Sequence, residues 1–382
     1  MASLKEKKAK AEADKKLAAK LGITLEELAD RNVPNLGFDE NGEKRFCYGE
    51  RSFIASIASV TPNVQFAVFE LVKKSSGTVK TKGNKKYETA DIADNDEIVR
   101  GKKTKNLPKP NNKKDDLDKA AAALEEFKQL KKDLKAVIKA EKKRLEQVLM
   151  TARCWSMDKW RQLFMEHPVM RSLAFGLVWG IYQEGKLVQS FRYRKDGLFY
   201  RQNGEEFKLP EGGTIGLVHP MELTKEEKNA WKQQLEDDEM EQPMEQLERK
   251  VYMVHKKEAG KKELVRFQNK LLLDWVFGDR LEKLGWNCGL IREGYYDSYY
   301  REDIDAGICV ELHTSGNTIW ENIEITLQGA RFYKVGVIDW ETHIYNEEEK
   351  EKACVLQDVP ARYFSEVVLH ITEAAEESYL GE

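Results

Sequence analysis

The chain has 382 residues, 41% hydrophobic and 10% aromatic, enough for two or three packed units, and its longest apolar run falls far short of the ~18 residues a membrane helix needs. The five cysteines, Cys47, Cys154, Cys288, Cys309 and Cys354, are scattered and form no CxxC pair, which argues against a cysteine zinc site or a disulfide framework and for reduced thiols in a cytoplasm. The net charge of −3 hides a local excess over residues 73–144, where 22 Lys+Arg face 12 Asp+Glu.

The N-terminal residues are an Ala/Lys/Glu helix over 3–20, with no apolar stretch of the kind a signal peptide carries. Thr24 and Glu27 then form a capping box for a short helix that Pro34 stops. "RFCYGERSFIASIASV" and "VQFAVFELV" read as strands of a small antiparallel meander, with a turn around Thr61-Pro62-Asn63, so residues 1–72 make a first unit. Residues 73–114 turn to Lys, Asn, Gly and Pro and read as exposed linker, with a short helix or strand around "YETADIADNDEIV".

Asp115 or Asp116 opens a helix of about 35 residues, on which Leu117, Ala120, Leu124, Phe127, Leu130, Leu134, Ile138, Leu145 and Leu149 recur at three- and four-residue steps. Ser156 caps a following helix that Pro168 ends at His167, and a further helix leads into the strand "LVWGIYQ". Hairpins with turns at Gly185, Gly197 and Gly204 follow, then the strand "TIGLVHP", then a helix boxed by Thr224 and Glu227. "KVYMV" reads as a short strand, closing a unit over 115–255. In the last unit, 256–382, "ELVRFQNKLLLDWVFGDRLEKLGW" reads as helix and "REGYYDSYYRED" as loop. "AGICVELHTS", "IEITLQGARFYKV" and "VGVIDWETHIY" read as strands, and "PARYFSEVVLHITEAAEES" as a closing amphipathic helix. Strands and helices come in runs without βαβ alternation, so the fold class is α+β with antiparallel or mixed sheets, flanking helices and one long amphipathic helix.

Two segments, F-x-x-H-P at Phe164–Pro168 with L-V-W-G at Leu177–Gly180, and G-L-V-H-P at Gly216–Pro220 with Gln242-Pro243 and Glu245-Gln246-Leu247, resemble the bacterial domain of unknown function 4132, the module of MolR-like proteins. "LGITLEELADRNVPNLGFDENGEKRFCYG", "NLPKP", "RFYKV" and "PARYFSEVVLHI" extend the likeness from roughly residue 16 onward. The resemblance implies no established chemistry. It implies larger relatives that carry helical repeats or a WGR domain, gene neighbours encoding MoxR-type ATPases and von Willebrand A domains, and a chain that is a standalone or excised C-terminal module.

Chemistry-bearing motifs are scarce. GxxxxGK[ST], GxSxG and a strand-borne GxGxxG are missing, and no cofactor or metal is expected. His167 and His219 precede prolines, a context in which a histidine ends a helix or a strand. They become catalytic or metal-binding candidates only where they meet a carboxylate such as Glu166, Glu222 or Glu245. Tyr295, Tyr296, Tyr299 and Tyr300, flanked by charges, suit a contact surface, because tyrosine offers stiff amphipathic area. The favoured expectation is a non-catalytic cytoplasmic interaction or regulatory module with a protein partner and no membrane association. The alternatives are a hydrolase or transferase near His167 and His219, and nucleic-acid binding through residues 73–114. The sequence names no small-molecule ligand.

Overall fold

A computed structural model describes residues 4–73, 98–111 and 113–378. The chain divides into two compact units, both discontinuous in sequence. The first takes the residues up to Lys143, Asp158–Leu177 and Glu239–Pro243; the second takes Arg144–Met157, Val178–Asp238 and everything from Met244.

In the first unit, α1 (Leu4–Leu21) and α2 (Leu25–Arg31) precede a four-stranded antiparallel sheet of β1 (Glu43–Cys47), β2 (Ser52–Ser59), β3 (Gln65–Lys73) and β4 (Ile98–Arg100), in that spatial order. The expected capping box of α2 is present, with Glu27 N donating to Thr24 Oγ1 at 3.0 Å. The proposed helix or strand in "YETADIADNDEIV" lies mostly outside the described residues; its last positions join β4. α3 (Leu117–Thr151) is 35 residues long, starting where Asp116 Oδ1 accepts from the amides of Asp118 and Lys119, both at 3.1 Å. Its buried residues Ala120, Phe127, Leu130, Leu134 and Ile138 fall on the predicted stripe, although Leu117 is exposed. Phe127 sits edge-on to Phe46 and Phe66 of the sheet, with centroids 5.4 and 5.1 Å apart. The second unit takes over α3 from Arg144. α4 (Met157–Arg161), a π turn (Gln162–Glu166) and α5 (Pro168–Ala174) complete the first unit's helices.

The second unit holds two antiparallel sheets. The six-stranded one runs β5-β10-β6-β7-β8-β9, built from β5 (Cys154–Ser156), β6 (Val178–Gln183), β7 (Lys186–Tyr193), β8 (Phe199–Tyr200), β9 (Glu206–Phe207) and β10 (Thr214–Leu217), with α6 (Lys225–Asp237) capped by the predicted Thr224/Glu227 box. The five-stranded one runs β11-β15-β14-β13-β12, from β11 (Leu271–Leu273), β12 (Asn287–Cys288), β13 (Tyr295–Asp303), β14 (Ile308–Thr318) and β15 (Glu324–Lys334), with α7 (Asp274–Lys283) between β11 and β12 in sequence and α8 (Ala361–Ser378) at the end of the chain. One face of this sheet packs on α7 and α8 through Val310, Leu312, Phe332, Phe277, Phe364 and Val367. The class is therefore α+β, with every strand pair antiparallel.

Four local expectations are corrected. The helix read across 263–286 is confined to Asp274–Lys283, because Leu271–Leu273 pair with Thr326, Ile325 and Glu324 of β15. The tyrosine-rich segment is strand β13; its alternation is broken by a bulge between Tyr296 and Ser298, which hides the strand signature. "KVYMV" and "VGVIDWETHIY" form no strand, the latter being a series of turns stapled by Asp339, whose side chain accepts from Thr342 Oγ1 at 2.8 Å.

Candidate functional site

The family-like motifs place two glycines opposite each other. Gly180 of β6 and Gly216 of β10 are direct cross-strand partners. The Tyr182 ring lies over both: a Cβ at Gly180 would meet it at 2.8 Å and one at Gly216 at 3.2 Å. The missing side chains let the phenol reach Leu217 O at 3.2 Å and Glu222 Oε2 at 2.8 Å, while Arg362 of α8 donates to both Tyr182 and Glu222. Gln246 acts as a one-residue splice. Its Oε1 accepts from Val178 N at 2.9 Å, and its Nε2 donates to Val178 O at 2.7 Å and Val218 O at 2.9 Å.

His219 is fully buried at the end of the β10 segment, as the N-cap of the 3-10 turn Pro220–Glu222. Its Nδ1 accepts from Met221 N at 3.2 Å, so the ring proton sits on Nε2, which donates to Glu366 Oε1 at 3.1 Å. Glu366, also buried, takes both its oxygens to Arg249 Nε at 2.8 and 2.7 Å. Burial alone would raise the Glu366 carboxyl, but the His219 hydrogen bond and the Arg249 guanidinium outweigh it and bring it down to about 2. One helical turn on, burial and the charge of Arg301 press His370 down to about 3, leaving a neutral ring whose Nδ1 accepts from Trp286 Nε1 at 3.3 Å. The buried polar residues Arg362, Glu366 and His370 thus form one i, i+4, i+8 stripe on α8. The acid that meets the His219 ring is Glu366. Glu222 instead accepts from the His219 backbone N–H at 2.9 Å, and Glu245 and Glu166 are exposed.

His167, in the first unit, ends one helical stretch as read, as the C-cap of the π turn Gln162–Glu166, and is at the same time the N-cap of α5. Nδ1 accepts from Met170 N at 3.3 Å and Nε2 faces Val33 O at 3.1 Å. Burial holds its pKa below the usual value. The ring borders a cavity of about 220 Å³ with Glu27, Asp30, Arg31, Lys159 and Gln162. Among the described residues, no hydroxyl or thiol lines that cavity. Among the described residues, no group of three or more His, Cys, Asp and Glu could hold a metal ion.

The four tyrosines divide. Tyr299 and Tyr296 turn inward to Asp274, whose Oδ1 accepts from them at 2.8 and 3.3 Å and from Asn317 Nδ2 at 2.6 Å. Tyr300 is covered by Trp340, stacked at 4.2 Å and 6°. Tyr295 is 62% exposed. Beside it stand Trp320, 69% exposed, Trp275, 48% exposed, and Ile319. Three contacts fix this group: Tyr295 pairs with Thr318, Trp275 Nε1 donates to Thr318 O at 3.2 Å, and Ile319 N donates to Gly294 O at 2.9 Å. Gly294, at φ 84°, makes room for Trp320, since a Cβ there would stand 2.0 Å from the indole Nε1. Trp275 and Trp320 escaped the sequence reading, because Trp275 falls at core-like spacing on a helix and Trp320 sits in a turn with no pattern.

The molecule is thus an α+β protein whose motif residues are drawn into buried networks and whose aromatic residues surface at one margin of a sheet. Residues 101–286 match the domain of unknown function (DUF4132), and the chain carries a domain of that family. It is also 30% identical to the uncharacterized protein YehI of Escherichia coli (strain K12) over 277 residues, 72% of this chain and 20% of that protein. The chain therefore spans about a fifth of the length of the curated relative it matches. No solved structure matches it. No described helix is long and apolar enough to cross a membrane.

Proposed function

We propose that the chain is a non-catalytic protein-interaction module of the MolR-like, regulatory type, acting in the cytoplasm, and that a protein partner seats on Trp275, Tyr295, Ile319 and Trp320. The observation that carries this is Trp320, a tryptophan 69% exposed yet held in place by a glycine that leaves room for it. A cluster of two tryptophans, a tyrosine and an isoleucine is the composition of a binding hot spot and is costly to leave in water. Support also comes from the histidines: both ring nitrogens of His167 and His219 already have partners within the fold. The cytoplasmic reading is supported by five unpaired cysteines, of which Cys47 and Cys288 are exposed.

The test is binding of purified MoxR-type ATPase and von Willebrand A proteins to the immobilised chain, beside the Trp320→Ala/Tyr295→Ala variant. Truncating two such residues should weaken capture by tenfold or more, since hot-spot losses run at about 2 kcal/mol each, with the melting temperature unchanged. Equal capture by the variant, or no capture by the wild type, overturns the proposal.

A further inference from the structure

The outer face of the five-stranded sheet, opposite α7 and α8, is polar. Glu311 of β14 stands between Tyr300 of β13 and Arg331 of β15, and it is 1% exposed. What buries it is the segment 335–353, which leaves β15 and folds back across the sheet as a strap. Trp340 stacks on Tyr300, Tyr345 accepts from Arg331 and stacks on His313, and Ile338 and Ala353 pack against Cys309 and Tyr333.

His343 lies at the centre of the strap. Its Nε2 is 2.8 Å from Glu311 Oε1 on the sheet, and its Nδ1 is 2.9 Å from Glu349 Oε2 on the 3-10 turn Glu347–Lys352. The side chains of His343 and Glu311 are 5% and 1% exposed. The Nε2 contact is a hydrogen bond, whereas Glu349 Oε2 has no hydrogen-bond partner and meets the ring through charge; only the imidazolium, positive across both nitrogens, is attracted to both carboxylates. The other charges around it are Asp297 of β13, which lies 3.9 Å from His313 Nε2, Lys352, which is 3.5 Å from the second oxygen of Glu349, and Arg331 of β15, which stands beside Glu311 and is paired with Glu347. Within the strap itself the ring meets the edge of Trp340 as well as Glu349. Removing the proton would therefore leave Glu311, Glu349 and Asp297 facing one another across the strap, with Lys352 and an Arg331 already paired with Glu263 and Glu347 to offset them.

We propose that His343 is a proton-operated latch: as the imidazolium it holds the 335–353 strap on the sheet, and on losing its proton it releases the strap and uncovers Tyr300, Cys309 and the Glu311–Arg331 face. Burial pulls its pKa down, but Glu311 and Glu349 push harder and raise it above 6.5. Because the docked value is the higher one, the latch contributes fully below about 6.5 and is lost as pH rises through the raised value.

Hydrogen exchange of peptides from the strap, corrected for the intrinsic rate at each pH, tests this on the intact chain. Strap protection should be flat below about pH 6.5 and then fall by up to tenfold per pH unit before levelling off, while α8 stays protected. In His343→Gln the strap should be weakly protected at every pH. In Glu349→Gln, which alters the less buried of the two partners, the fall should level off at lower pH and be smaller in total; this variant carries the test if His343→Gln does not fold. Strap protection that does not change with pH in the wild type overturns the latch, as does an unshifted profile in Glu349→Gln or a wild-type profile in His343→Gln.

Discussion

Glu366→Gln isolates the charge at the centre of the second unit's polar network. Glu366 is 0% exposed, and its carboxyl is held at about 2 against an ordinary 4.5. A depressed folded-state value means that the ionised group stabilises the fold above about 4.5, and that this contribution drains away as pH falls through about 2. The gap corresponds to about 3 kcal/mol, the lower end of the ~3–5 kcal/mol lost when one partner of a buried ion pair is removed. Glutamine keeps the shape, accepts from His219 or Arg249 with its carbonyl, and does not titrate. At neutral pH the variant should therefore unfold with about 3 kcal/mol less free energy than the wild type. As pH drops from about 4.5 to about 2, the wild type should lose this advantage until the two coincide. Urea unfolding, followed by hydrogen-exchange labelling of the α8 amides, reads the difference in the unit that contains the network. A deficit that stays constant down to about pH 2 would refute the reasoning, because the loss would then come from shape and not from charge.

Four other substitutions probe further features. Gln246→Leu strips partners from Val178 N and Val218 O; with each buried orphan costing ~1–3 kcal/mol, chemical denaturation should show a loss of about 2–5 kcal/mol. Gly294→Ala places a methyl against the Trp320 indole at a positive φ. It should cost about 1–2 kcal/mol and raise acrylamide quenching of tryptophan fluorescence, whereas Trp320→Ala should leave the melting temperature unchanged. Thr224→Ala removes the side-chain acceptor for Glu227 N, now at 3.2 Å; the first turn of α6 should exchange faster, with a stability loss of about 1 kcal/mol.

Elements whose signals are local were legible in the sequence. α3 starts within two residues of its expected cap, because Asp116 and the apolar stripe are both written in consecutive residues. The boxes at Thr24/Glu27 and Thr224/Glu227 form as read. Legibility failed where a distant partner decides the structure. "LLL" at 271–273 has helical propensity but is captured by β15, and the bulge in β13 scrambles a strand pattern already masked by tyrosines facing both ways. The acid for His219 lies 147 positions away, so no search of nearby carboxylates could reach it. One signal was nevertheless available: Arg362, Glu366 and His370, spaced by four along a helix whose remaining residues are largely apolar, form a charged stripe with no reason to exist unless it meets buried partners.

The same residues explain why the family-like motifs give so little away about activity. Gly180 and Gly216 admit the Tyr182 ring, His219 bridges a strand end to α8, and Gln246 stitches two strands. Each solves a problem of burial: a polar backbone edge or side chain must find a partner away from water, and few residue types fit each gap. Substituting any of them strands a buried polar group or forces a clash, costs that fall on folding whatever the protein does. Trp275, Tyr295 and Trp320 are under no such constraint, since their exposed faces contribute nothing to the core. Constraints of this kind hold the motif residues in place whatever the protein does, whereas the exposed aromatic residues that the frame displays are free to vary.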